Sequence, residues 1–228
     1  MTRNRAVLLG EFLLPLVAIL LISVIASIFD LDRSAARLFF DPVSRWPYEF
    51  YWLWDGLYHY GWIPAGSIAS GGLGLLLTAL FARRARRFWR PGLFLVLLLA
   101  LGPGLLVHNI GKDLWGRPRP VDTIDFGGFR PYHHVYQRAG DNMGKSFPSG
   151  HAAIGFYTLA PFFLLRRRNR KGALSALVGG SAYGLLMSIG RMAQGGHYLT
   201  DVLWSWYLVS LTGSALYYLL KPDRWGKL

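Results

Sequence analysis

The apolar residues of this chain fall in long blocks, roughly 6–29, 61–81, 92–111, 150–165, 173–190 and 199–220, and this clustering limits the fold more than any other feature. A bilayer core of about 30 Å requires on the order of 20 apolar residues per helix, which these blocks approach. Length alone would allow one or two soluble domains, but 53% hydrophobic against 16% charged residues, gathered in blocks, reads as an integral membrane protein. The expected fold is all-α: a polytopic protein with six transmembrane helices in a bundle, forming a single domain over residues 1–228. The first block is long for a signal-peptide core, so it reads as a retained span. It carries Glu11, and a lipid-facing carboxylate costs a few kcal/mol. Glu11 is therefore expected inside the bundle or near the cytoplasmic edge.

The net charge of +13 would suit a nucleic-acid binder, but its distribution argues against one. Two arginine clusters, Arg83–Arg90 and Arg166–Lys171, lie in short loops between apolar blocks. Placed inside by the positive-inside rule, they put both termini in the cytoplasm. That side then holds fifteen Lys and Arg against one acid, Asp223, while the opposite side, with ten basic and ten acidic residues, is close to neutral. Cysteine is absent, which removes disulfides and thiolate metal sites. Between the first two spans an aromatic-rich run from Trp46 to Tyr60 reads as an interfacial belt, with Trp115 and the Phe126-Gly-Gly-Phe129 stretch anchoring at the same level.

On this topology three polar constellations meet at the non-cytoplasmic face. The first is Lys112-x6-Arg119-Pro120, two cations at a fixed interval with prolines stiffening the turn. The second is Pro148-Ser149-Gly150-His151, where Ser149 is a good helix cap and Gly150 allows close approach of backbone N–H groups to an anion. The third is Arg191-x5-His197-x3-Asp201. If a helix starts near His197, then Asp201 shares its face and can accept a hydrogen bond from one ring nitrogen, turning the other outward as a lone pair. Taken singly, each has a plainer reading: a basic juxtamembrane stretch, a capped helix start, an interfacial Arg–Asp pair beside a loop histidine.

Taken together, the order, spacing and helix placement of the three resemble the tripartite signature of the type-2 phosphatidic acid phosphatase superfamily, over the chain from residue 112 onward. Gly190 stands where that family usually has a serine. The long loop with its Phe-Gly-Gly-Phe segment is similar to that of bacterial lipid A phosphatases. The resemblance implies that Lys112, Arg119 and Arg191 hold phosphate oxygens, with Ser149 and the Gly150 amide adding hydrogen bonds. It implies that His197, oriented by Asp201, attacks phosphorus, and that His151 protonates the leaving oxygen and later activates water. The expected activity is hydrolysis of a phosphorylated membrane lipid at the outer face of a bacterial inner membrane. Lipid A, undecaprenyl diphosphate, phosphatidylglycerol phosphate and phosphatidic acid are the substrates to consider. No carboxylate cluster suited to a metal pair is visible, so neither metal nor cofactor is expected. A lipid phosphotransferase and, more distantly, a non-catalytic lipid-phosphate transporter or receptor or a soluble vanadium-haloperoxidase-like enzyme are the competing readings.

Overall fold

The computed structural model describes residues 7–140 and 144–224, without the side chains of Ile110, Lys112 and Asp113. The described chain is helical, with no strand beyond two isolated bridges. Four helices are long and apolar enough to cross a membrane: Leu8–Ile28, Trp52–Phe81, Arg83–Asn109 and Arg170–Ala193. The other two expected spans are present as helices but fall short of that measure. Gly150–Leu165 is too short, and Leu199–Leu220 has the length, at 22 residues, but dilutes its leucines with Ser, Thr, Trp and Tyr.

The elements are α1 (Leu8–Ile28), α2 (Leu31–Arg37), α3 (Trp52–Tyr60), α4 (Ile63–Phe81), α5 (Trp89–Leu99), α6 (Gly150–Tyr157), α7 (Ala160–Leu165), α8 (Arg170–Ala193) and α9 (Leu199–Leu220). α5 runs on as a π-helical stretch, Ala100–Gly111, around Pro103, which cannot donate an intrahelical hydrogen bond. The break between α6 and α7 has the same cause. Pro161 has no N–H to offer the carbonyl of Tyr157, and Thr158 turns its hydroxyl back to the Gly155 carbonyl at 2.6 Å.

α6 lies at the centre. Its Ala152, Ala153 and Phe156 pack with Val107, Met192, Val202 and Val209, and its last residue, Tyr157, joins Phe94, Leu98, Phe163 and Leu216 in a second cluster. Small residues let α8 come close, and a side chain on Gly155 would meet the Gly184 backbone at 3.1 Å. The outer helices leave large apolar side chains exposed, among them Leu21, Val24 and Ile28 of α1 and Leu80 and Phe81 of α4. Such a surface suits lipid rather than water.

Glu11 packs as expected. Both its oxygens accept from Arg166, at 2.8 and 3.0 Å, and it also accepts from the Tyr218 hydroxyl, while the guanidinium sits 3.7 Å over the Tyr217 ring. This ties the first helix to the C-terminal end of α7 and to α9. Glu11→Gln is expected to cost about 1–3 kcal/mol, the range for hydrogen bonds to charged groups. Thermal unfolding in detergent checks it, and an unchanged midpoint would count against the tie.

The aromatic belt divides. Trp46 is 5% exposed and packs with Ala36, Phe40, Phe126 and Tyr198, so it is core, and Phe126 with it. Trp52, Tyr60 and Phe129 remain exposed, as a belt requires. In the sequence the two groups look alike, because aromatic residues serve both settings.

Candidate active site

Ser149 caps α6, its Oγ accepting from the Ala152 amide at 3.3 Å. The same residue is strapped to the first two turns of α9: its carbonyl accepts from Ser205 Oγ at 2.9 Å, and its amide points at the Asp201 carbonyl at 3.4 Å. Gly150 and His151 therefore begin α6 beside the third motif. The His151 ring stacks on Tyr58, with centroids 4.7 Å apart and planes 18° from parallel. The Lys112 side chain lies outside the described residues. Its neighbour Gly111 has no room for a side chain because the Pro148 ring lies against it, which brings the end of the π-helical stretch to the second motif.

Arg191 sits in the last turn of α8, 9% exposed. The chain leaves that helix through Gly195 at φ +65°, a left-handed conformation suited to glycine, and the Val121 amide donates to the Gly195 carbonyl at 3.1 Å. That bond ties the loop carrying Arg119 to the loop carrying His197. Arg191 Nη1 donates to Gln194 Oε1 at 2.5 Å, and the guanidinium lies 4.8 Å from the Tyr58 ring centre. Arg119 and Arg191 line one cavity of about 270 Å³, together with Glu49, Asp55, Tyr58 and Gln194. The Nε of each arginine is buried and has no hydrogen-bond partner among the described residues. Buried donors without partners are rare, and two cationic ones on one cavity suit an oxyanion.

His197 is 3% exposed, and its Nδ1 lies 2.6 Å from the Ser146 carbonyl. A carbonyl only accepts, so Nδ1 carries the proton, and in the neutral ring Nε2 carries the lone pair. The expected hydrogen bond from His197 to Asp201 is not formed: Nδ1 and Oδ2 are 3.9 Å apart. Asp201 is occupied elsewhere. Its Oδ1 accepts from Arg117 at 2.5 Å, and its Oδ2 accepts from Ser146 Oγ at 2.5 Å and from the Tyr198 amide at 2.8 Å. The carboxylate thus holds Ser146, whose carbonyl in turn orients the imidazole. Asp201 acts on His197 through that residue and through its charge.

Sequence reasoning assigned nothing to Arg117 or Asp32. Arg117 is wholly buried, and besides Asp201 it donates to Thr200 Oγ1 at 2.9 Å, Asp32 Oδ2 at 2.7 Å and the His133 carbonyl at 2.9 Å. Burial disfavours its charge, but Asp201 and Asp32 outweigh that and hold its pKa above the ordinary arginine value. Asp32, from α2, also accepts from the Thr200 amide at 2.8 Å, satisfying a donor at the start of α9. The motif singles out Arg119, but no sequence signal marks Arg117, two residues before it, as buried, or separates Asp32 from Asp30. Depth alone separates them.

Of the remaining histidines, His133 contributes only a carbonyl among these bonds, and His134 stacks on Tyr136 with its pKa lowered by burial and by Arg117. His108 lines a separate, largely apolar cavity beside Gly150 and Ile154.

Gly190 has a tertiary explanation. A Cβ there would meet the Trp54 ring at 2.9 Å, so the indole of α3 takes the space a serine would need. Gly190→Ser is expected to displace Trp54, lowering both stability and activity, at about 1–3 kcal/mol for overpacking. Tryptophan fluorescence and thermal unfolding check this, and a variant as stable as the parent would show that α3 yields freely.

Seven of the eight sequence-predicted residues are therefore placed in contact or on a shared segment: Arg119, Ser149, Gly150, His151, Arg191, His197 and Asp201. Buried Arg191 and half-buried Arg119 on one cavity suit an oxyanion, and the apolar outer helices suit a membrane. The chain belongs to the PAP2 superfamily, whose model matches residues 91–225. It is 35% identical over 151 residues to the lipid A 4'-phosphatase of Francisella tularensis subsp. novicida, covering 64% of this chain and 65% of that protein. Lipid A 4'-phosphatases of Rhizobium leguminosarum and Rhizobium etli are 32% and 33% identical, over 57% and 64% of this chain. The matches span 54% of each Rhizobium protein, so the chain matches less than two thirds of the length of all three relatives. No solved structure matches the chain significantly.

Proposed function

We propose that the protein is a lipid phosphate phosphatase working through a phosphohistidine on His197. The observation that carries this is the tautomer: with Nδ1–H bonded to the Ser146 carbonyl, Nε2 is the nucleophilic nitrogen, and His197 follows Gly196, which lines the cavity where Arg119 and Arg191 have donors to spare. Lys112, Arg119 and Arg191 offset charge on the phosphoryl oxygens as the bond to the leaving oxygen breaks. Ser149 and the Gly150 amide add hydrogen bonds to those oxygens. His151 gives its proton to the leaving oxygen and takes one from the water that then cleaves the phosphohistidine.

Lipid A is the favoured substrate, because three relatives carry that name. The reading places a single domain with six crossings in a bacterial inner membrane, termini in the cytoplasm and site at the periplasmic face. The charge asymmetry and the aromatic residues near the site support it. A lipid brings its headgroup to that depth, and a soluble ester gains little from it.

Purified protein is expected to release inorganic phosphate from lipid A in a panel with undecaprenyl diphosphate, phosphatidylglycerol phosphate and phosphatidic acid. Activity is expected to persist in EDTA and to be inhibited by vanadate, which mimics pentacoordinate phosphorus. Loss in chelator with recovery on adding a divalent ion would refute the metal-free reaction, and label appearing on a second lipid instead of in phosphate would make it a transferase.

A further inference from the structure

Tyr58 lies in α3, outside residues 91–225, in a run that sequence reading gives to the membrane interface. Its ring nevertheless touches two groups of the site. It stacks on His151 at 4.7 Å and carries the Arg191 guanidinium at 4.8 Å from its centre. α3 and the residues flanking it are pinned to α8 and the turn that follows it. Trp54 fills the space beside Gly190, the Tyr183 hydroxyl donates to the Gly61 carbonyl at 2.8 Å, and Gln194 Nε2 donates to the Glu49 carbonyl at 3.0 Å. Gln194 is also the residue that accepts from Arg191. The ring is thus held by a framework that includes one of the groups it touches.

We propose that Tyr58 is a positioning residue for the reaction, fixing the plane of the His151 ring and its register with Arg191. The inference rests on the function proposed above, in which His151 is the proton donor and Arg191 a phosphate ligand. In that role His151 carries a positive charge close to Arg191, and two such cations repel. An aromatic face in contact with both attracts each of them and keeps them at a fixed separation. His151 is in the first turn of α6 with its ring against Tyr58, and a proton donor displaced by about 1 Å can lose on the order of 100-fold in rate. The face does this and the hydroxyl does not, so phenylalanine should serve and an aliphatic side chain should not.

The test uses full-length protein in detergent with Tyr58→Phe and Tyr58→Leu. Tyr58→Phe is expected to keep kcat for the lipid phosphate within about twofold, and Tyr58→Leu to lose about tenfold to 100-fold. With p-nitrophenyl phosphate, whose leaving group needs no proton, the Tyr58→Leu defect is expected to shrink to a few-fold. A merely structural role would lower both reactions alike, and that result, wild-type kcat in Tyr58→Leu, or failure of phenylalanine to rescue would each overturn the inference. The contact is also read without turnover, by NMR of histidine-labelled protein. The His151 ring signal should move in Tyr58→Leu and stay in Tyr58→Phe. A signal unmoved in Tyr58→Leu sinks the inference whether or not the protein is a phosphatase, whereas a wild-type protein that releases no phosphate from any substrate sinks the proposed function alone.

Discussion

His197→Ala is expected to lose about three orders of magnitude or more in turnover, as removal of a covalent nucleophile generally does. The ring is buried at 3% exposure and its Nδ1–H is committed to the Ser146 carbonyl, so the variant removes a nitrogen held in one orientation. The loss should appear in kcat with little change in lipid affinity, since the proposed reaction gives the phosphate to the arginines. Labelled phosphate should be trapped on the wild-type protein by an alkaline quench, survive alkali and be lost in acid, the signature of a phosphorus–nitrogen bond, and be absent from the variant. Near-wild-type turnover in His197→Ala would end the assignment. Asp201→Asn should act differently from a simple loss of ring orientation. It takes charge from Arg117 and an acceptor from Ser146 or Tyr198, so both stability and activity should fall.

The second large effect is expected at a residue that cannot meet substrate. Arg117→Leu should cost about 3–5 kcal/mol, the range for removing one partner of a buried ion pair. It would strand two carboxylates at once, Asp32 at 2% exposure and Asp201 at 0%, and leave Thr200 and the His133 carbonyl each without one bond. Against a total stability of about 5–15 kcal/mol that is a large fraction. Arg117→Lys should recover part of it, because an ammonium restores the charge but cannot span both carboxylates and the carbonyl as the planar fork does. Asp32→Asn should cost less than Arg117→Leu, since the amide still offers an acceptor to Thr200. Thermal unfolding in detergent orders the three. A leucine variant as stable as the parent would mean that the carboxylates find water or protonate at no cost.

Much of this molecule was legible in the chain. Each of the six apolar blocks falls on helix, four of them long and apolar enough to cross a membrane, because a helix satisfies its own backbone and the pattern that requires it is local. The three motifs were legible for the same reason: a cap, a charge at the end of a helix and an i, i+4 pair are short-range features. Glu11 could be assigned to the interior from the cost of a carboxylate in lipid, though not to Arg166.

What the tertiary structure alone decided is which long-range partner each polar group takes. Asp201 and His197 are four residues apart and suitably faced, yet the carboxylate is drawn to Arg117 and Ser146, and a carbonyl takes the imidazole proton. Arg117 and Arg119 differ only in that one is enclosed by Asp32 from α2 and the other lines the cavity. Trp46 and Trp52 are alike in sequence, but one packs under Phe126 and the other stays exposed. Helix formation, capping and membrane partition are decided within a few residues of chain. The choice among several chemically equivalent partners depends on which of them folding buries together, because a charge taken from water must be matched by whatever lies within about 3 Å of it.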